Sequence, residues 1–259
     1  MEAAIRDIAE AFVGARRSGQ ALAAYPGERP ADLATAYRIQ DQALALWDRQ
    51  IAGWKVGKIN PPEEGRLGAN RLAGPIFADS IMEAAAEPVA MPTFRGGFAA
   101  AEAEFMLRIA PLPGRSAPTT NNEAREWVDA IRIGIEIASS PYPGINADGP
   151  CVTVSDHGNN AGLVLGPQVD RALWTDLDSI AVTLEIDGEV AGKASTATML
   201  DGPFGAVRFL LQNLQDRGIT PQAGWWISSG AITGVHEVAP GAHVRALFDG
   251  AGSVEARID

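Results

Sequence analysis

Two long alternating runs restrict this chain more than any other feature. Between residues 98 and 109, Phe98, Ala100, Glu102, Glu104 and Met106 alternate with Ala99, Ala101, Ala103, Phe105, Leu107 and Ile109. Further on, Ile131, Ile133, Ile135 and Ile137 alternate with Arg132, Gly134, Glu136 and Ala138. A period of two places each set on one face of a strand. A face of four isoleucines belongs against a core. The other faces carry three carboxylates, and close like charges are unfavourable unless a cation or a proton sits between them.

The surroundings of these strands predict an α+β chain with helices first and sheets later. Ile5, Ile8, Phe12 and Ala15 recur at helical spacing. Pro26 and Pro30 mark a loop, and Asp32 can cap a second helix holding Tyr37, Leu44 and Trp47. Short apolar runs follow Ile51, with a loop from Pro92 to Gly97 and a short helix expected over Ala124–Ala130. Ile180, Val182, Leu184 and Ile186 lead into Asp187-Gly188, a hairpin signal. A helix is expected over Phe204–Leu214, and strands broken by glycine over Trp225–Ile258.

Composition narrows the function classes. With 46% hydrophobic and 20% charged residues, the 259-residue chain can build a packed core. Its 21 basic and 32 acidic residues leave a net charge of −11. A nucleic-acid face or an anionic membrane would have to work against that field. A single cysteine, Cys151, cannot form an internal disulfide and suits a reducing, cytoplasmic setting. No apolar run approaches the roughly 20 residues of a membrane span. Charges at Glu2, Arg6, Asp7 and Glu10 argue against a secretory apolar segment at the start.

Glu102 and Glu104 project from one strand face. The pattern leaves open a merely solvated edge strand. It also allows an all-oxygen site for Mg²⁺ or Mn²⁺, with Glu136 as third carboxylate and Gly134 leaving room beside it. Lys55, between Trp54 and Val56, is either a half-buried proton-transfer group or a snorkelling surface lysine. Lys58 falls on the opposite face in a regular strand. His157, beside Asp156, is an oriented acid–base pair or a satisfied loop histidine. The hydroxyls and amides of Ser228-Ser229-Gly230-Ala231 could receive a carboxylate, or simply end a strand.

The ordered set Gly53-Trp54-Lys55-Val56-Gly57-Lys58, Leu67-Gly68, Phe77-Ala78-Asp79, Glu102-Ala103-Glu104 and Glu136 resembles a known group. So do Ser155-Asp156, Ser229-Gly230-Ala231 and Asp249-Gly250-Ala251-Gly252-Ser253-Val254. That group is the 2-keto-4-pentenoate hydratase and 4-oxalocrotonate decarboxylase family, within the fumarylacetoacetate hydrolase superfamily. The resemblance implies N-terminal helices over residues 1–52, then a mixed β-sandwich or β-roll of the fumarylacetoacetase C-terminal type over 53–259. It implies Mg²⁺ or Mn²⁺ on Glu102, Glu104 and Glu136, with Lys55 and Asp79 as catalytic residues. Ser229, Gly230, Leu67 and Asp156 are the implied substrate-binding positions. A small 2-oxo acid substrate, a homo-oligomer and association with a related hydratase or decarboxylase follow from the same likeness. The chain departs from the family pattern at Lys58-Ile59-Asn60, His157 and Gly202, where relatives commonly have Leu-Thr-Ser, Asn and His. The expected activity is hydration of a 2-hydroxy-2,4-dienoate, with decarboxylation of a 2-oxo-3-enedioate or a non-catalytic partner role as alternatives.

Overall fold

The computed structural model describes residues 2–111 and 116–259, so the first residue of the N-terminal stretch lies outside it. Helix α1, Glu2–Ser18, buries Ile5, Ile8, Phe12 and Ala15, the residues whose spacing predicts it. Helix α2, Leu33–Leu46, starts at Asp32, whose carboxylate accepts from the Thr35 amide at 2.7 Å. Then come β1 (Ile51–Lys58), α3 (Glu63–Leu67), β2 (Arg71–Phe77), β3 (Ile81–Glu83), β4 (Val89–Met91) and β5 (Phe98–Ile109). Helix α4 (Asn121–Arg125), β6 (Val128–Ser140), α5 (Pro150–Ser155), β7 (Asn160–Gln168), β8 (Ala181–Ile186) and β9 (Glu189–Ser195) follow. The chain closes with α6 (Gly202–Asp216), β10 (Trp226–Ser228), β11 (His236–Glu237), β12 (His243–Phe248) and β13 (Gly252–Ile258).

The helix expected over 124–130 lies earlier. Thr120 caps it by accepting from the Glu123 amide at 3.2 Å, and the chain is already extended by Val128. The Asp187-Gly188 hairpin forms as expected. Both residues have positive φ, 52° and 83°, the twist a two-residue hairpin needs.

The described strands form two sheets. One runs β2-β1-β10-β5-β6-β7-β3, with β11 pairing an outer stretch of β5. The other runs β4-β13-β12-β8-β9. Strand β5 is therefore interior, hydrogen-bonded to β10 on one side and β6 on the other. A solvated edge strand is excluded, and both faces of β5 are buried through most of its length.

Register sorts those faces. Ala103 lies opposite Ile135, Phe105 opposite Ile133 and Leu107 opposite Ile131, and this apolar face packs against the second sheet. Phe105 meets Phe248 of β12 with ring centroids 5.2 Å apart. On the reverse face Glu102 lies directly opposite Glu136. The space beside Gly134 is filled by the Met106 side chain.

Helices α1 and α2 build a separate apolar cluster with Tyr142, Ile145 and Val152. They are also pinned to the sheet by polar groups. The Gln40 side chain donates to the carbonyls of Ala73 and Val154, at 3.0 and 2.9 Å. Tyr37 Oη accepts from the Ala73 amide at 2.9 Å. Among the described residues, no helix is long and apolar enough to cross a membrane.

Candidate metal centre and its cavity

Strand β1 lies between β2 and β10, with Trp54 and Val56 turned into the apolar core. Alternation then sends Lys55 to the opposite face, where it is 4% exposed, while Lys58 is exposed. The same rule delivers Glu102 and Glu104 from β5 and Glu136 from β6. Each of the three offers a carboxylate oxygen, and these lie within 4.8 Å of one another. All three residues are buried.

Each carboxylate is held by part of its hydrogen-bonding capacity. Glu104 Oε2 accepts from the Gly230 amide at 2.8 Å and from the Ser228 hydroxyl. Glu136 Oε1 accepts from Asn160 Nδ2 at 2.9 Å and lies 3.4 Å from Lys55 Nζ. Lys55 Nζ also donates to Asn159 Oδ1 at 3.3 Å. Glu104 Oε1 and Glu136 Oε2 are buried with no hydrogen-bond partner. A buried carboxylate oxygen without a donor is costly, and these two belong to the same cluster.

That arrangement fits a hard divalent cation. The donor set is all oxygen, and two of its oxygens have no hydrogen-bond donor. One oxygen from each carboxylate lies within 4.8 Å of the others, a span that metal–oxygen bonds of about 2.0–2.6 Å can bridge. The electrostatics point the same way. Burial, against the pull of Lys55 and with the push of Glu136, brings the Glu102 carboxyl up to about 7. Burial, Glu136 and Glu102 together hold Glu104 well above the usual carboxylate range. Burial alone would lower Lys55, but the carboxylates of Glu136, Glu102 and Glu104 outweigh it and raise the ammonium above its ordinary value. Without a metal, Lys55 is the local counter-charge.

The cluster opens onto a cavity of about 940 Å³. Lys55, Glu102, Asn159, Ser229 and Gly230 form its polar floor, and Ile232, Met199, Leu200 and Val235 contribute apolar wall. The Gly230 amide is already engaged by Glu104, and Ser229 Oγ accepts from the Phe105 amide at 3.2 Å.

The structure does not bring the other predicted residues to this place. Asp79 sits on a short turn, Ala78–Ser80, with its side chain 64% exposed and paired with Arg49 at 2.5 Å. It is not part of the cavity wall. Leu67 ends α3 and packs partly buried on the main core, also away from that wall. Asp156 is fully buried, gripped by Arg16 Nε at 2.5 Å and Nη2 at 3.0 Å, and accepts from Ser140 Oγ at 2.6 Å. Its neighbour His157 is buried too, with Nε2 accepting from Trp47 Nε1 at 3.0 Å. This Asp–His pair anchors the fold.

Asn146, Asn159 and Asn160 have no place in the sequence-based expectation. Their one signal was residue type, since His157-Gly158-Asn159 is a run that tolerates left-handed backbone. The structure has φ of 58°, 63° and 56° there.

Residues 75–259 match the fumarylacetoacetate (FAA) hydrolase C-terminal family. The chain belongs to that family of enzymes. Within it, 130 residues are 32% identical to a 4-oxalocrotonate decarboxylase from Pseudomonas putida, covering 50% of this chain and 49% of the relative. A 2-keto-4-pentenoate hydratase from Burkholderia vietnamiensis is 33% identical over 104 residues, 40% of each chain. The chain thus spans about half or less of the length of these two curated relatives. The fold is shared along its whole length with a 4-oxalocrotonate decarboxylase from Pseudomonas putida solved with magnesium and adipate. That match has a TM-score of 0.82 at 22% identity, covering 100% of this chain and 98% of the other.

Proposed function

We propose that this protein is a metal-dependent lyase of small 2-oxo acids, adding water to a 2-hydroxy-2,4-dienoate to give a 4-hydroxy-2-oxo acid. The observation that carries the reading is the buried cluster of Glu102, Glu104 and Glu136, with two unpartnered oxygens and Lys55 against it. A divalent cation held by these carboxylates would supply positive charge against the oxygen at C2 as enolate character develops there.

The chain's own groups do the rest. Lys55 Nζ, at the cavity floor, moves the protons. The C2 hydroxyl proton is lost, and a proton is delivered to the far carbon of the diene, leaving an α,β-unsaturated 2-oxo acid. Water oxygen then bonds to C4 and its proton goes to C3, so one water is consumed. Glu104 is held rigidly by Gly230 and Ser228, which keeps the carboxylate spacing fixed before substrate arrives. Ile232, Met199 and Leu200 supply apolar wall against which the substrate's carbon chain can lie.

A second reading, decarboxylation of a 2-oxo-3-enedioate, is favoured by one feature of the wall. Lys58 and Arg71 lie opposite each other across β1 and β2 and both line the cavity. Arg71 is already ion-paired with Asp201, which leaves the exposed Lys58 as the cation for a second carboxylate. Purified protein with Mg²⁺, assayed against 2-hydroxy-2,4-dienoates of different length and charge, separates the two. Loss of ultraviolet absorbance with a product heavier by one water supports hydration. Release of CO₂ from a dicarboxylate supports the second reading, and no turnover of either class overturns both.

A further inference from the structure

We propose that Asn159 is a positioning residue that fixes the Lys55 ammonium against the carboxylate cluster, and that the left-handed turn 157–159 exists to aim it. The inference rests on the reading of Lys55 as the proton-moving group.

Polarity fixes the geometry. An ammonium has three donors and no acceptor, so the oxygen of the Asn159 amide must face Lys55, as it does at 3.3 Å. The Asn159 nitrogen then points the other way and donates to Asn146 Oδ1 at 2.9 Å. Asn146 lines the cavity, so the relay runs from the cavity wall through Asn159 to Lys55 and on to Glu136. Two of the three Lys55 donors are directed by this arrangement, to Asn159 and to Glu136, which leaves one for the cavity. Asn159 is 2% exposed, so its amide is held almost wholly within the protein at the edge of the cavity.

The backbone supports the same conclusion. Three consecutive residues with φ near +60° are unfavourable, by about 1–2 kcal/mol for each non-glycine. Gly158 lets the turn lie flat on β2. A methyl group there would fall 3.0 Å from Gly74 Cα and 3.0 Å from Lys55 Cδ, and one on Gly74 would run into the His157 carbonyl. The glycine pair thus allows a strained turn to press against the Lys55 side chain and place the Asn159 amide at its tip. A buried asparagine needing only satisfaction would not require left-handed backbone at His157 as well as at Asn159 itself.

The test uses Asn159→Gly, which accepts the left-handed backbone and removes only the amide, and Asn159→Asp, which keeps an acceptor oxygen. The chain has three lysines, and Lys58 and Lys193 are exposed. In ¹⁵N NMR of the metal-free protein, a held Lys55 ammonium should give a slowly exchanging signal. Asn159→Gly should speed that exchange at least roughly tenfold, and should lower kcat on a 2-hydroxy-2,4-dienoate by roughly 10- to 100-fold. KM and Mg²⁺ affinity should stay within about threefold of wild type. Asn159→Asp should keep the slow signal, because Asn146 can turn its amide to donate. A wild-type Lys55 signal and kcat in Asn159→Gly, or loss of the signal in Asn159→Asp, would overturn the proposal. If wild type turns over no 2-oxo acid, the functional reading falls, and the NMR comparison still decides the role of Asn159.

Discussion

Glu102 is the carboxylate that both belongs to the cluster and reaches the cavity wall. With its pKa near 7, above the roughly 4.3 of an unfolded glutamate, the native state binds a proton that the unfolded chain has released. The metal-free fold should therefore lose stability as pH rises from about 5 to 7. Mg²⁺ must displace that proton, so its affinity should rise over the same window. Titration calorimetry at pH 5.5 and pH 8 checks this, and equal affinities would contradict it. Glu102→Gln should weaken Mg²⁺ binding at least roughly tenfold. Metal-free Tm should hold or rise, because repulsion is relieved. Lys55→Met has the opposite signature. It removes the counter-charge, so metal-free Tm should fall and Mg²⁺ should restore it, while kcat drops by roughly 10²-fold or more. A variant with wild-type kcat across pH would remove Lys55 from the reaction.

Among the elements, the contact between β2 and the turn after α5 decides where Lys55 and Asn159 meet. It is a backbone-to-backbone contact, possible only because residues 74 and 158 lack side chains. Gly74→Ala should push the turn away from β2 and destabilise the fold by roughly 2–4 kcal/mol, as expected for forced backbone displacement in a packed region. Urea denaturation measures it, and a change under about 0.5 kcal/mol would mean the turn can shift freely. Glycine at these two positions was readable from the sequence, but the partner of each was not. The two residues are 84 positions apart, since 158 − 74 = 84, and no local pattern pairs them.

On the scale of the molecule, Arg16 ties the N-terminal helices to the sheet. Its guanidinium grips Asp156 and also donates to the carbonyls of Asn160 at 3.0 Å and Ser139 at 3.2 Å. Burial alone would raise Asp156, but the charge and hydrogen bonds of Arg16 together with His157 outweigh it and hold the carboxyl at about 2. Because that value lies below the roughly 3.9 of an unfolded aspartate, the pair contributes stability above about pH 4 that is lost as pH falls through 2. The shift corresponds to roughly 2–3 kcal/mol. Arg16→Met would strand a buried carboxylate and should remove about 3 kcal/mol or more at pH 7. It should also flatten the loss of stability between pH 4 and pH 2. Denaturant midpoints of both proteins across that range decide the matter, and a variant as acid-sensitive as wild type would refute the assignment.

The sequence by itself determined the alternation of β5 and β6, hence that Glu102, Glu104 and Glu136 leave the apolar face. It also determined the Asp32 cap, the Asp187-Gly188 hairpin and the turning of Lys55 away from Trp54 and Val56. These are consequences of backbone period and local chemistry, which act within a few residues. Only the tertiary structure decided that β5 is interior, because strand neighbours are chosen by long-range packing; β10, its partner, lies more than a hundred residues downstream. Only it separated Asp79 and Asp156 from the cluster, since each has an arginine, Arg49 or Arg16, brought from a distant segment. The asparagines around Lys55 were hidden for the same reason. Their role depends on a three-dimensional approach through two glycines, and an amide becomes a positioning group only when the fold buries it against a charge.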